Sequence, residues 1–447
     1  PKHNGCRSPG VDSSPNENHE YRIRLGEIGM IKLIEPGKRK GVIVIPPSKS
    51  DAQRAILIAG LADGKSELQN VGRSDDERTM LQFIQQIGAE VRLNYDKKLH
   101  ITGTGNIPHN LNIITGESGL ASRLITCILA VHDGNYKITG EGTLLNRPMH
   151  FFQDFFSNSG LDFQSENGYL PFHLNGKIHA GTYQVDGSQS SQYLSGLLMA
   201  LPLLDGDSFL EVNNLTSIPY IRLTIQSLLN AGIKLEYTET FSNFKLPGNQ
   251  CYKPINYTVE GDWSAASYWL IGSALGLEIS VSGLSMGSLQ ADKNILNALI
   301  AAGCSVTQTH EGIAIDGSKR HCFEFDATHC PDLFPALVTF AALTAGTSVL
   351  RGAERLRYKE SDRATALKTE FEKLGVIISI RGDEMRVTGK KFISGGYVNS
   401  HHDHRIAMCL AIAGLFSTES ITIDHAESVA KSYPNFWKDL ERLERLV

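Results

Sequence analysis

Asp63-Gly64-Lys65-Ser66-Glu67-Leu68 decides the fold, because a glycine leading into a short strand-like run recurs at Gly134, Gly206, Gly276 and Gly346. The successive spacings are 70, 72, 70 and 70 residues. Glu419, in Ser417-Thr418-Glu419, follows after 73 (419 − 346) and fills a sixth place without a glycine. Each mark is preceded by an apolar helix-like run and followed by a strand-like one, such as Tyr136-Lys137-Ile138 or Ser348-Val349-Leu350. A polar turn and a second helical stretch come next. Another glycine closes that stretch in five copies: Gly88, Gly160, Gly232, Gly303 and Gly375. A period of about seventy residues, repeated six times, sets the architecture before any single motif is weighed.

The first helix of each copy is apolar almost all round: residues 48–62, 118–131, 190–203, 264–275, 333–344 and 404–415. Such a helix is buried. The second is amphipathic, as where 76–88 places Met80, Phe83, Ile84 and Ile87 at helical spacing. The strands alternate, as in Glu90-Val91-Arg92-Leu93, which predicts one wet face. This pattern is α/β, but all-apolar helices ending in Asp-Gly do not belong to a Rossmann sheet.

A chain of 447 residues exceeds one core, and three copies total about 210 residues, a usual domain size. Six units make either one ring or two groups of three. The expected cuts lie at Ile45-Pro46-Pro47 and Glu260-Gly261-Asp262, because strand 41–45 precedes copy one and has no partner in it. Residues 47–260 are then one domain, with copies one to three. Residues 23–46 and 261–447 form a discontinuous second domain, with copies four to six. Two linkers crossing side by side give a hinge and a cleft.

Hydrophobic content of 41% with 20% charge is that of an ordinary soluble protein, and a net charge of −5 argues against a general polyanion binder. The seven cysteines are scattered, odd in number and without a C-x-x-C pair, which suits a reducing cytoplasm. No apolar run reaches membrane-spanning length. Residues 1–22 are polar, lack a signal-peptide h-region and read as a mobile tail.

Copies of a unit agree where packing matters and diverge where function does. The divergence falls at helix starts. Copy one opens Pro47-Ser48-Lys49-Ser50-Asp51-Ala52-Gln53-Arg54, copy two Gly116-Glu117-Ser118-Gly119-Leu120-Ala121-Ser122-Arg123, and copy three Asp186-Gly187-Ser188-Gln189-Ser190-Ser191-Gln192-Tyr193. Ser and Gly at a helix N-terminus offer free N–H groups, hydroxyls and the positive end of the dipole, which is an anion site. N-capping alone accounts for any one of them. Three together, two with a cation in the first turns, point to phosphate or carboxylate.

The second helices diverge likewise at Asn146-Arg147-Pro148, Ser217-Ile218-Pro219-Tyr220, Arg357 through Arg363, and Ala430-Lys431-Ser432-Tyr433-Pro434. Lys359 and Arg363 share a face, with Glu360 beside them as a candidate acid/base; a solvated, salt-bridged helix start is the plainer reading. His401-His402-Asp403-His404-Arg405 looks like a metal cluster, but its histidines crowd one turn with no second ligand group, so no metal is expected. Arg405 heads a buried helix and needs an anion. Asp332 either caps the fifth buried helix or acts as a general base. Cys127, inside an apolar helix, reads as core. Gly103-Thr104-Gly105 does not continue as G-x-G-x-x-G and no Walker A sequence is present, so nucleotide binding is unsupported.

Pro47-Ser48-Lys49-Ser50 with Arg54, Val185 through Gln192, Ser217 with Pro219-Tyr220, Lys359-Glu360-Ser361-Asp362-Arg363 and Asp403-His404-Arg405-Ile406-Ala407-Met408 resemble the 5-enolpyruvylshikimate-3-phosphate synthases, over nearly all of the chain from about Met30 onward. The resemblance implies a two-domain inside-out α/β barrel, each domain three βαβαββ units around buried parallel helices. It implies transfer of the enolpyruvyl group of phosphoenolpyruvate to the 5-hydroxyl of shikimate 3-phosphate through a tetrahedral ketal, in aromatic amino acid (chorismate) biosynthesis. No metal and no organic cofactor are implied. Shikimate 3-phosphate would be held by Lys49, Ser50, Arg54, Ser190, Ser191, Gln192, Ser217, Tyr220, Asp332, Arg355 and Lys359. Phosphoenolpyruvate would be held by Lys49, Gly119, Arg147, Gln192, Glu360, Arg363, Arg405 and Lys431. Asp332 would take the hydroxyl proton, Glu360 would handle the methylene proton, and Lys49 would assist as acid. A cytoplasmic monomer acting on small molecules, with no nucleic-acid or membrane partner, is expected.

The chain departs from the family's usual G-N-A-G-T-A-M-R-P loop. Glu117 stands for Asn, Leu120 for Thr and Leu124 for Pro, and Arg355 replaces an Asn often seen at the shikimate site. Glu117 puts negative charge beside an anion site unless it turns away or pairs with Arg123. UDP-N-acetylglucosamine enolpyruvyl transferases share the fold, but usually carry Lys-Asn where this chain has Lys49-Ser50, and a loop Cys not found here. A non-catalytic binder of phosphorylated metabolites is the other alternative. Lys49, Asp332, Glu360, Arg363, Arg405 and Lys431 together argue against it.

Overall fold

The computed structural model describes residues 29–94, 98–157 and 159–446, so the expected tail over 1–22 lies outside the described residues. Copy two displays the repeating unit without interruption. Strand Asn110–Ile114, helix Gly119–Ala130 and the parallel strand Asn135–Thr139 form a crossover; helix His150–Phe156 leads to the antiparallel strands Asp162–Glu166 and Tyr169–Asn175. Five of the six sheets among the described residues share this parallel–antiparallel–antiparallel order, and each is an open sheet of four or five strands. The sixth has three strands, with Lys32–Ile34 antiparallel to Ile421–Asp424.

The first strands of copies one and four are exchanged. Arg39–Val44 runs into the first buried helix but pairs in parallel with Glu278–Ser282. Asn256–Thr258 runs into the fourth but pairs with Asp63–Gln69. The two connections lie side by side, with Ser48 N donating to Glu260 O at 2.7 Å and Asp262 N to Pro46 O at 2.9 Å. Two hydrophobic clusters result. One is built from residues between Ala52 and Val259, the other from Ile34, Ile43 and Ile45 with residues between Trp263 and Leu443.

The buried helices are Lys49–Leu61, Gly119–Ala130, Ser191–Ala200, Trp263–Leu275, Phe334–Ala342 and His404–Gly414. Ser118, Asp262 and Asp403 cap three of them by accepting backbone N–H bonds. The third and fifth are shorter than the sequence predicts. Pro202, which lacks an N–H, sits in a 3-10 turn over Leu201–Leu203, and Pro331 opens a similar turn over Pro331–Leu333. The amphipathic helix of copy one is Asp75–Gln86, begun by a reciprocal Ser74–Glu77 capping box. Alternation misleads at Glu90–Leu93: Leu93 is 54% exposed, because this strand is the edge of its sheet and has a neighbour on one side only.

The five glycines that close the second helices all have φ between 79° and 99°, which lets the chain turn back into the following strand. Gly389 answers a different need. A Cβ there would lie 2.0 Å from both Ala341 O and Thr344 O, so the strand Glu384–Gly389 passes directly against the end of a buried helix. Gly389→Ala is expected to destabilise the protein by about 1–3 kcal/mol in urea unfolding. An unshifted midpoint would contradict the close approach.

Candidate active site

A cavity of about 500 Å³ lies between the two hydrophobic clusters. Lys49, Ser50, Gly119, Arg147, Ser190 and Gln192 line it from one side, and Asp332, Arg355, Lys359, Glu360 and Arg405 from the other. A recess sharing Ser50, Ser190 and Asp332 adds Arg54, Ser191, Ser217 and Tyr220. Of the residues singled out from sequence, Arg363 and Lys431 do not line this space. Arg363 is buried behind it, and Lys431 is held in a contact of its own.

Helix starts place the cations. Lys49 opens its helix directly after the paired connections, and its Nζ lies 2.9 Å from Asp76 Oδ2. Burial disfavours that ammonium, but Asp76 and Glu360 outweigh it and hold the Lys49 pKa above its ordinary value. Arg54 is fully buried one turn later. Its three hydrogen bonds go to neutral oxygens: Thr224 Oγ1 at 2.9 Å, Ser50 O at 2.8 Å and Ser195 Oγ at 3.3 Å. Burial pulls its pKa down to about 10. A guanidinium so placed beside a recess is suited to an anionic guest. Gly119 admits the arginines: a Cβ there would meet Arg123 Nη1 at 2.7 Å and Arg147 Nη1 at 3.0 Å. The Nε atoms of Arg123, Arg147, Arg355 and Arg405 are buried without a hydrogen-bond partner, leaving donors unused.

The opposite wall is a web of carboxylates and cations. Asp332 receives Arg363 Nη1 at 2.7 Å and Arg405 Nη2 at 3.1 Å, with Lys359 Nζ at 3.6 Å. Glu360 contacts Arg363 directly and lies 3.7 Å from Arg147 across the cavity. Arg363 Nε bonds Asp403 Oδ2 at 2.7 Å. Burial pushes both acids up, but Arg405, Lys359 and Arg363 around Asp332, and Arg363 and Arg147 around Glu360, hold them well below the carboxylate range. Both are ionised at neutral pH. Arg355 reaches across to Ser217 Oγ at 2.9 Å and also bonds the Thr328 carbonyl. Ser217 itself has φ 55°, a left-handed conformation uncommon for serine.

Sequence reasoning gave no role to Asp76, which lines the cavity, or to Asp403 and His404, which are buried behind its wall. Asp76 looks like any acidic residue at a helix start. Asp403 looks like an N-cap, and it is one, accepting from Arg405 N at 2.9 Å while also holding Arg363. His404 lay inside a run read for metal ligation. It is buried with neither ring nitrogen hydrogen-bonded, Nδ1 lying 3.7 Å from Asp403 Oδ1, and burial followed by Lys49 and Arg405 keeps its pKa well below the ordinary value, so it is neutral. The rest of that run disperses: His401 Nε2 pairs with Glu370 at 2.7 Å. His402 instead meets His425 and Glu427, with one ligand atom of each within 4.8 Å of the others. Glu427 also accepts the Met30 N–H at 2.7 Å. Glu117 pairs with Lys431 and not with Arg123, which donates instead to Gly119 O and Gln192 Oε1, both at 2.9 Å.

A family model described as EPSP synthase (3-phosphoshikimate 1-carboxyvinyltransferase) matches residues 34–440. A 3-phosphoshikimate 1-carboxyvinyltransferase of Clostridium kluyveri is 37% identical over 412 residues, covering 92% of this chain and 96% of that protein. The one from Clostridium novyi is 36% identical over 427 residues, covering 93% and 98%. Among solved structures, an EPSP synthase from Acinetobacter baumannii superposes with a TM-score of 0.75 at 25% identity, covering 92% of this chain and 97% of that one.

Proposed function

The chain belongs to the EPSP synthase family, and on that premise we propose how its cleft divides the work. The protein transfers the enolpyruvyl (1-carboxyvinyl) group of phosphoenolpyruvate to shikimate 3-phosphate, a step of aromatic amino acid biosynthesis. One observation carries the residue roles: Lys49, Arg147 and Arg405 converge with two ionised carboxylates, Asp332 and Glu360, on one cavity. Each substrate brings a phosphate and a carboxylate. Bringing both together requires several cations, with arginine suited to bidentate binding.

Ser50, Arg54, Ser190, Ser191, Ser217, Tyr220, Arg355 and Lys359 hold shikimate 3-phosphate, with Arg54 offering the buried guanidinium. Lys49, Gly119, Arg147, Gln192, Arg405 and Lys431 hold phosphoenolpyruvate. Arg363 acts from behind, keeping Asp332 and Glu360 in place. Asp332 accepts the proton of the 5-hydroxyl as its oxygen bonds C2 of phosphoenolpyruvate, while C3 gains a proton. Glu360 is ionised in the empty cleft, so it acquires that proton only when substrate anions offset Arg147 and Lys49. The ketal then collapses: the C2–phosphate bond breaks, C3 returns a proton to Glu360, and phosphate leaves. Electrostatic stabilisation and proximity supply most of the acceleration.

Two domains with cuts near 47 and 260, each an inside-out barrel of three βαβαββ units, suit the two clusters and the exchanged strands. No helix among the described residues is long and apolar enough to cross a membrane. The free thiols of the six described cysteines fit a reducing cytoplasm, and a monomer is proposed, to be checked by light scattering. The function is tested by phosphate release. Release is expected from phosphoenolpyruvate with shikimate 3-phosphate and none with UDP-N-acetylglucosamine; the opposite pattern would overturn the reading, and no release with either would leave only a binder.

A further inference from the structure

Lys431 Nζ already has an anion, lying 2.8 Å from Glu117 Oε2 and 2.8 Å from the His402 carbonyl. Glu117 precedes the helix Gly119–Ala130 of one cluster, and Lys431 ends the turn Ala426–Lys431 of the other, so the pair spans the cleft. The seat of Glu117 is shaped for it. Thr143 N and Thr143 Oγ1 both donate to Glu117 Oε2 at 2.8 Å. A Cβ on Gly142, which has φ +50°, would lie 2.4 Å from the Glu117 carboxyl carbon. Arg147 Nη2 donates to the same Thr143 hydroxyl at 3.2 Å, which ties the seat to a second cation of the cavity. Burial raises the Glu117 pKa, but Lys431 and Thr143 outweigh it and keep the carboxyl below its ordinary value.

We propose that Glu117 sets the affinity for the second substrate: its carboxylate stands in for a substrate anion at Lys431 in the empty cleft, and phosphoenolpyruvate has to displace it. Glu117 therefore bridges the two walls of the empty cleft and weakens the binding of the second substrate's anionic groups. This rests on the reading of Lys431 as a phosphoenolpyruvate ligand. Shikimate 3-phosphate meets other cations and is indifferent to the exchange.

Glu117→Gln keeps the volume and an oxygen for Thr143 but removes the charge. Its KM for phosphoenolpyruvate is expected to fall about fivefold, the worth of a partly exposed ion pair. The effect should fall on that KM and not on kcat or the KM for shikimate 3-phosphate. Lys431→Met separates the two readings. If it leaves the KM for phosphoenolpyruvate unchanged, the ligand assignment fails and this inference with it. If it raises that KM while Glu117→Gln leaves it unchanged or raises it, Glu117 merely positions Lys431, and the displacement proposal alone is overturned.

Discussion

Glu360→Gln is expected to turn over about 10²–10⁴-fold more slowly than the native enzyme, with the KM for shikimate 3-phosphate little changed. The amide keeps the shape of the side chain and can still contact Arg363 and Arg147, but it neither takes nor returns a proton. The pH profiles sharpen the test. In the free protein, burial pushes the Glu360 pKa up while Arg363, Arg147 and Lys49 pull it well below its ordinary value. The kcat/KM profile, which reports free enzyme, should therefore show no Glu360 titration near neutrality. The kcat profile reports the substrate complex, where phosphate and carboxylate offset those cations, so the same group should titrate there at higher pH. Native turnover by the amide variant would reject the acid/base role outright.

Arg363→Ala is expected to lower folding stability by about 3–5 kcal/mol and to abolish activity. The guanidinium is fully buried and serves Asp332, Glu360 and Asp403 at once. Truncation leaves the fully buried Asp403 without its guanidinium and takes one cation each from Asp332 and Glu360, and Arg363→Lys, which keeps the charge but not the fork, should fall between. The pH dependence has a definite sign. Asp332 and Glu360 have depressed pKa values in the folded protein, so their contribution is present above the unfolded carboxylate value, about 4, and is lost as pH falls through the lower folded values. The gap between native protein and variant should thus be widest at neutral pH and shrink below about pH 4. Equal urea midpoints at pH 7 would show that the web carries no stability.

Much of the site could be read from residue order because helix starts advertise anion chemistry locally. Lys49, Arg54, Arg147 and Arg405 each stand at or near a helix start, and all reach the cleft. Asp76, Asp403 and His404 were harder, since each has an ordinary local role that hides the second one. Whether Glu117 turned to Arg123 or away was open at the level of sequence. Its actual partner is 314 residues distant.

Periodicity, buried-helix positions and the kinds of charge at each helix start follow from the order of residues, because they depend on neighbours within a few turns. The seventy-residue spacing alone requires six alike units, each burying one apolar helix. Which strand completes which sheet, which carboxylate meets which cation and which acids stay ionised depend on contacts between distant copies. The exchange of Arg39–Val44 and Asn256–Thr258 brings two groups of helix starts face to face. Asp332 takes its cations, Arg405, Lys359 and Arg363, from its own side of the cleft, whereas Glu360 adds Arg147 and Lys49 from across it; Coulomb energies are decided by distance in space and by burial, neither of which residue order contains.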